Sequence, residues 1–448
     1  VTSIENLRSA LVAVKPGAVA CANKNMFRQI NFKNLEIMKQ ILISFSFRLM
    51  GPVIMLLTTP QLLSTLGNVE YGVWSLLITT ISWLTICDFG ISNQIRNESK
   101  ILIVQDNKES IREIYTAAVI ISFFITLLCC VIISFINIDL IYKLFLSCVF
   151  LFAIETNICR ALCLSLNKPE LASAVTNIPN LFLLIYVFCY SSFNINNVMD
   201  IYCYGSAMMF VSIFIILYKF NIKLFWPVFH PSYLRFSIMK YSLLRGGGGF
   251  FMVQLVSMGL IISDRYIISS IFGVEDVTKY DLIFKVSNFC IMFFSIVNMV
   301  LWSKFTEFWM QGFYTKIKVI FKVFDLCFLL LVIVLILILN HIHWIFELWL
   351  NVTNENYNEV YITGIVLYLV GYYWMSAYSS FLNGISIIKK QFIIQGGGLL
   401  IKAITLLIAM NILKVFKVEY IILLGGACLF IVGFLFRKCA HDKINSCI

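Results

Sequence analysis

The sequence predicts an all-α integral membrane protein with twelve transmembrane helices, set in two six-helix lobes related by a pseudo-two-fold axis along the membrane normal. Three observations lead there. The first is composition: of 448 residues, 60% are apolar and 13% charged, against about 45–50% and about 25% in soluble domains. A mean hydropathy of +0.90 agrees. Too few charges exist to coat a soluble surface, which excludes a soluble enzyme, a secreted disulfide scaffold and a DNA-binding domain. The second is a series of twelve apolar runs, each near the ~20 residues that cross a bilayer as helix. The third is the placement of the basic residues.

The runs lie near 41–62, 71–90, 114–136, 140–164, 171–193 and 198–220, then near 242–272, 277–303, 319–340, 359–387, 392–413 and 418–436. Short loops and the lack of alternating ten-residue segments favour helices over a barrel. Residues 1–39 read as a cytoplasmic tail, because Lys15-Pro16 interrupts the apolar stretch at 11–22 and leaves no signal-peptide core. The N-terminal lobe is then 40–220, a basic cytoplasmic linker 221–240, the C-terminal lobe 241–437 and a cytoplasmic tail 438–448. With the N-terminus cytoplasmic, 26 Lys and Arg fall on that side. Only Lys143, Lys279, Lys414 and Lys417 fall on the other. This is the positive-inside pattern, and an odd number of spans would scramble it. The net charge of +11 is therefore topological, both termini are cytoplasmic, and no nucleic-acid partner is expected.

The linker divides the chain in half, and the halves share a short repeat. Gly67-Asn-Val-Glu70-Tyr-Gly-Val-Trp74 and Gly273-Val-Glu-Asp276-Val-Thr-Lys-Tyr280 each carry a glycine, an acid at +3 and an aromatic at +7. Each follows the first span of its half. With an even number of spans per half, such repeats are parallel, as in transporters built of two halves.

Four basic residues fall inside spans: Arg48, Arg265, Lys285 and Lys402. Charge in the bilayer core costs at least ~2.5–3.5 kcal/mol, so such residues face a cavity or a partner. Arg48 shares a helical face with Gly51, Pro52, Met55 and Thr59, and Lys402 one with Gln395, Gly398, Thr405 and Ala409. Both stripes are expected at a central cavity. Lys285 follows Asp281 by four residues in the favourable acid-first order, with Asn288 and Ser295 further along that face. Arg265 follows Asp264 near the outer end of the seventh span, where snorkelling to the interface explains it almost as well as a cavity does. Tyr372, Ser376, Ser379 and Asn383 form a stripe in the tenth span that reads as helix-to-helix glue. Asp88 closes the second span, as a loop-bonding residue or a cavity candidate. Glu155, in mid-span, is either a proton carrier or a structural pairing partner; Asp264 and Asp281 share that choice between coupling ion and pairing.

No metal or cofactor is expected. Most of the 14 cysteines sit in apolar runs as small hydrophobes, no CxxC occurs, and the four histidines form no ligand set with them. The glycines at 246–249 lack a following GK[ST], so they make no nucleotide loop. Energy would come from an H⁺ or Na⁺ gradient, or from consumption of product.

The run Leu66-Gly67-Asn68-Val69-Glu70-Tyr71-Gly72-Val73-Trp74-Ser75-Leu76, continuing to Trp83-Leu84 and Asp88-Phe89-Gly90, resembles the Wzx-type O-antigen flippases, polysaccharide transporters of the MATE-like exporter superfamily. Asp264-Arg265-Tyr266-Ile267-Ile268, Phe272-Gly273-Val274-Glu275, Tyr280, Lys285 and Trp302 carry it in the second half. The resemblance implies two six-helix bundles around a central cavity, in a bacterial inner membrane. It implies transfer of an undecaprenyl-diphosphate-linked oligosaccharide, for O-antigen or capsule-like lipopolysaccharide biosynthesis, from the cytoplasmic to the periplasmic leaflet. Its partners would be bilayer lipids, a polysaccharide polymerase and a chain-length regulator. Residues 1–37 have no counterpart in the family, and the glycines at 246–249 exceed its pattern. On this reading, Arg48, Lys402, Lys285, Arg265 and Asp88 are the cavity candidates for substrate, while Glu155, Asp264 and Asp281 are coupling-ion or pairing candidates. Two rivals stand beside it. A cation-coupled exporter of the same fold would expose acids in its cavity. A membrane polymerase or acyltransferase would carry a large outer loop or an embedded histidine, whereas His341 and His343 lie at a rim with no catalytic partner pattern. The chain is therefore not expected to be an enzyme.

Overall fold

A computed structural model describes residues 25–86, 88–104, 108–166, 168–225, 243, 245–350, 359–412 and 416–447. Contacts divide the chain at residue 43 into two units. Helix occupies the described part of the first unit from Asn25 onward, well before the apolar run at 41; all that follows concerns the second. The helices of the chain, the first of which begins in the first unit, are α1 (Asn25–Leu84), α2 (Ile91–Val104), α3 (Lys108–Phe135), α4 (Leu140–Ser165), α5 (Pro169–Thr176), α6 (Ile178–Cys189), α7 (Ile195–Phe225), α8 (Arg245–Ile261), α9 (Asp264–Ile271), α10 (Val274–Met310), α11 (Tyr314–Asn340), α12 (Ile342–Leu350), α13 (Glu359–Gly384), α14 (Ile388–Ile412) and α15 (Val418–Asn445).

The described residues form no strand, and helix covers the greater part of every predicted apolar run. Among the described residues, eight helices are long and apolar enough to cross a membrane, or nine if the bent pair α8–α9 is one span. Bilayer interiors offer no water to unpaired backbone groups, which is why the apolar runs close their hydrogen bonds within themselves as helices.

Helical geometry is interrupted at three places, each for a local reason. The runs at 41–62 and 71–90 share α1, which leaves helical geometry at Gly67 (φ 72°, ψ 174°). Gly273, its partner in the repeat, takes nearly the same conformation (φ 103°, ψ 175°) at the head of α10. Both values of φ are positive, which only glycine adopts without steric cost, so the repeated glycine marks the same turn in each half. The run at 171–193 divides into α5 and α6, because Pro179 can donate no N–H into the helix before it. The run at 242–272 divides after Ile261, with a bend of 43°; Ser263 turns its hydroxyl back onto the Gly259 carbonyl, a bond that bends helices. Proline also explains a contact of α12, an element the hydropathy pattern does not reveal. Pro60 leaves the Leu56 carbonyl without its helical donor, and the Trp349 indole supplies one at 2.7 Å.

Helix packing follows the small residues. Gly364 and Gly371 on α13 meet Gly426 and Gly433 on α15, in register and seven residues apart on each helix. A Cβ on Gly371 would stand 2.5 Å from the Leu429 carbonyl carbon, and one on Gly433 3.0 Å from the Trp374 Cβ. Removing the side chains lets the backbones approach, and van der Waals contact then holds helices together where no hydrophobic effect operates. The register pairs 364 with 426 and 371 with 433, so α13 and α15 run parallel.

Candidate functional site

Among the described residues, contacts between the N-terminal half and the C-terminal half include one at each end of the second predicted span. At one end the two copies of the repeat touch each other. Gly72 lies against Val274 and Thr278, and Thr278 donates to the Asn68 carbonyl at 2.7 Å. At the other end, the Asp88-Phe89-Gly90 turn meets the glycine run at 246–249. A Cβ on Gly247 would stand 2.8 Å from the Phe89 carbonyl oxygen, and the Phe89 and Phe251 rings pack at 4.7 Å. The surplus glycines thus let two backbones touch. The Arg96 guanidinium covers the Trp302 ring at 4.6 Å on the same side. Burial lowers the Lys100 ammonium there, against the pull of Glu307.

Between these contacts lies a cavity of about 290 Å³. Met55, Trp74, Ser75, Ile78, Thr79 and Ser82 of α1 form one wall; Ile261, Ile262, Arg265, Asp281, Phe284, Lys285, Tyr368 and Tyr372 form the other. Its charged groups make one network. Asp281 Oδ1 accepts from Arg265 Nη2 at 2.7 Å and from Nε at 3.2 Å. Its Oδ2 pairs with Lys285 Nζ at 3.2 Å and accepts from the Tyr71 hydroxyl at 3.1 Å. Lys285 in turn donates to Thr59 Oγ1 at 3.1 Å, contacts the Tyr71 hydroxyl and lies 4.7 Å from the Tyr71 ring centre. The Arg265 guanidinium stacks over Phe284 at 4.5 Å.

Two cations therefore share one carboxylate. All three side chains are less than 10% exposed. Desolvating an ion costs several kcal/mol unless partners compensate, and here one positive charge is left without a carboxylate of its own within the network. An arrangement with one surplus cation, hydroxyl donors and aromatic walls favours an anion with an attached polar group.

The remaining sequence candidates fall elsewhere. Lys402 lies outside the cavity lining. It is 1% exposed, pairs with Asp264 at 2.6 Å and donates to the Leu260 carbonyl at 2.7 Å. The expected lumen stripe of the eleventh span is instead a packing seam: Gln395 accepts from Ser257 at 2.9 Å, and Gly398 faces Val432. Gly425 gives the Lys402–Asp264 pair its room, since a Cβ there would stand 3.3 Å from Asp264 Oδ2. Arg265, for which cavity and interface were both open, lines the cavity from α9, beyond the bend after Ile261. Asp88 lies beyond the end of α1, where it accepts from the Gly90 N–H at 2.8 Å and the Ser92 N–H at 3.2 Å, tying the turn to α2. Burial raises its carboxyl from the usual range. Glu155 lies on α4 against Ser122 of α3. The side chains of Arg48, Asn288 and Ser295 lie outside the described residues, although Met55 and Thr59, on the same predicted face as Arg48, both reach the cavity network. In the tenth span Ser376 accepts from Asn298 at 2.9 Å while Tyr372 lines the cavity.

Tyr71 and Tyr368 went unnominated by sequence reasoning. Tyr71 sits in the repeat, between Glu70 and Gly72, but its partner Asp281 is 210 residues away; only the repeat itself signals that the two segments belong together.

No protein-family model matches the sequence, and no curated protein matches it. Solved structures do match. A multidrug resistance MATE family transporter of the MOP superfamily in its outward-facing conformation superposes with a TM-score of 0.67 at 11% identity, covering 92% of this chain and 96% of that one. The inward-facing conformation of a transporter so described gives 0.66 at 10% identity, over 91% and 98%. A mutant of the Vibrio cholerae MATE transporter VcmN gives 0.66 at 9% identity, over 92% and 98%. Apolar helices, broken spans and a cavity between two halves thus assemble in this multi-pass membrane protein into the fold of the MATE family transporters.

Proposed function

We propose that the chain is a flippase, which moves a polyprenyl-diphosphate-linked oligosaccharide from the cytoplasmic to the periplasmic leaflet by alternating access. The observation that carries this reading is the surplus positive charge of the Arg265–Asp281–Lys285 network in a cavity between the halves. A cavity for a cationic drug would carry the opposite surplus. The sequence resemblance to Wzx-type flippases points the same way.

In this reading the two contacts between the halves are alternate gates. The tie of Tyr71 and Thr59 to Lys285 and Asp281 holds the repeat end closed, and the Gly90–Gly247 contact holds the other. A phosphate entering the cavity accepts hydrogen bonds from Arg265 and Lys285, and so competes with Asp281 for both cations. Each charge-assisted bond is roughly twice as strong as a neutral one. Lys285 then relaxes its hold on Thr59 and Tyr71, and the repeat end is free to open. Asp281 takes the cations back when the anion leaves, which keeps the site from trapping its cargo. Aromatic and hydroxyl groups of Trp74, Tyr368, Tyr372, Ser75 and Ser82 suit sugars, while the polyprenyl tail stays in lipid. Polysaccharide polymerase and chain-length regulator are the proposed partners, H⁺ or Na⁺ the proposed coupling ion, and the bacterial inner membrane the proposed location.

The test is genetic. Deleting the gene abolishes display of a surface polysaccharide, and lipid-linked repeat units accumulate on the cytoplasmic face. Complementation with Lys285→Met leaves the protein inserted but restores less than a tenth of the export. Normal surface glycan in a deletion strain that has no redundant flippase overturns the reading. The fold neighbours favour a second one, a cation-coupled exporter of small molecules; it is supported instead if deletion raises intracellular drug accumulation and leaves the glycan intact.

A further inference from the structure

The seam between α3 and α4 is a ladder of polar contacts inside the N-terminal half. Tyr115 Oη meets Cys159 Sγ at 3.2 Å, Ser122 Oγ meets Glu155 Oε1 at 2.6 Å, and Cys130 Sγ faces the Ser147 carbonyl at 3.9 Å. Thr126, one turn beyond Ser122, is buried and its hydroxyl has no partner among the described residues. None of these groups is cationic. The ionisable groups that interact with Glu155 are Tyr115 of α3 and Cys159 of α4 itself; among the described residues no Lys, Arg or His forms an ion pair with it.

The hydrogen-bond count bears on the state of the carboxyl. Ser122 Oγ lies 2.8 Å from the Val119 carbonyl as well as 2.6 Å from Glu155. A hydroxyl has one proton, and a carbonyl only accepts. If Ser122 gives its proton to Val119, as serines within helices commonly do, the short contact to Glu155 needs a proton from the carboxyl. A protonated carboxyl donating to a hydroxyl satisfies every atom in the group. An ionised one leaves either the carbonyl contact or the carboxylate contact without a proton, inside a spanning segment and with no ion-pair partner among the described residues.

We propose that Glu155, with Ser122 as its acceptor, is a membrane-embedded proton-binding site that holds a proton at neutral pH and gives it up on alkalinisation. The site is separate from the cavity network and independent of the substrate assigned above. It lies inside the N-terminal half, while the cation network of the cavity joins the halves.

Infrared difference spectroscopy of the full chain in lipid vesicles tests it. Wild type minus Glu155→Gln at pH 7 shows a protonated-carboxyl C=O stretch equivalent to one group per chain. Ser122→Ala moves that band to higher wavenumber, because the acceptor is lost, without removing it. Raising the pH removes the band in wild type. Glu155→Gln keeps the neutral hydrogen bond and unfolds at the wild-type temperature, and Glu155→Asp serves as the second acid variant. Absence of the band at pH 7 in both acids overturns the proposal. So does a band that persists to the alkaline limit of the folded protein, which would make the proton a fixed structural one.

Discussion

Asp281 decides the electrostatics of the cavity, since it is the carboxylate that Arg265 and Lys285 share. Removing one partner of a buried pair costs about 3–5 kcal/mol, because the other is left uncompensated. The two ends of this network are not equivalent. Asp281→Asn strands two cations, whereas Lys285→Met leaves a neutral Arg265–Asp281 pair and forfeits contacts to Thr59 and Tyr71, worth about 1 kcal/mol each. Asp281→Asn therefore lowers the thermal unfolding temperature of the purified protein in detergent by clearly more than Lys285→Met does. Equal losses would mean that the surplus charge is compensated elsewhere. Part of this network is written locally: the spacing of Asp281 and Lys285 places both on one helical face. The rest is not. Arg265 reaches Asp281 by way of the bend after Ile261, and Lys402 leaves the lumen because Asp264, on a different helix, offers it a countercharge.

Among the elements, α13 and α15 show most plainly what holds the helices together. Their glycines meet backbone to backbone, so an added methyl group has no flexible side chain to displace. Gly371→Ala forces the helices apart, at the 1–3 kcal/mol typical of overpacking. It lowers the thermal unfolding temperature, whereas Gly396→Ala, on α14 with nothing within 4 Å of its Cβ, leaves it unchanged or slightly raised. An equal effect from both would show that the close contact contributes nothing. Existence and approximate ends of the spanning helices are legible from apolar length alone. The break at Pro179 is not, since Pro52 and Pro60 lie inside α1 without ending it. The bend after Ile261 is not legible either, because serine bends a helix only where packing lets it turn back on the carbonyl. The short helices α2 and α12 also escape a hydropathy reading; one is amphipathic in sequence and the other too short to span.

For the whole molecule, orientation rests on charge. The parallel register of α13 and α15 requires one intervening crossing, which α14 supplies, in keeping with the alternation that the basic loops demand. A reporter fused at Asn221 therefore reads cytoplasmic, and one at Asn196 periplasmic. A periplasmic signal at Asn221 would overturn the assigned topology and, with it, the division into halves at the basic linker. What the sequence determines by itself is whatever the bilayer imposes position by position: helix in place of strand, span length, the polar breaks and the side on which lysines and arginines collect. These depend on a residue and its near neighbours along the chain. What only the tertiary structure decides is which charges meet. Tyr71 finds Asp281 across 210 residues, Thr59 finds Lys285 across 226, and Lys402 finds Asp264 inside one half. No helical period spans such distances; long-range packing alone sets which buried cation has a countercharge of its own and which must share one.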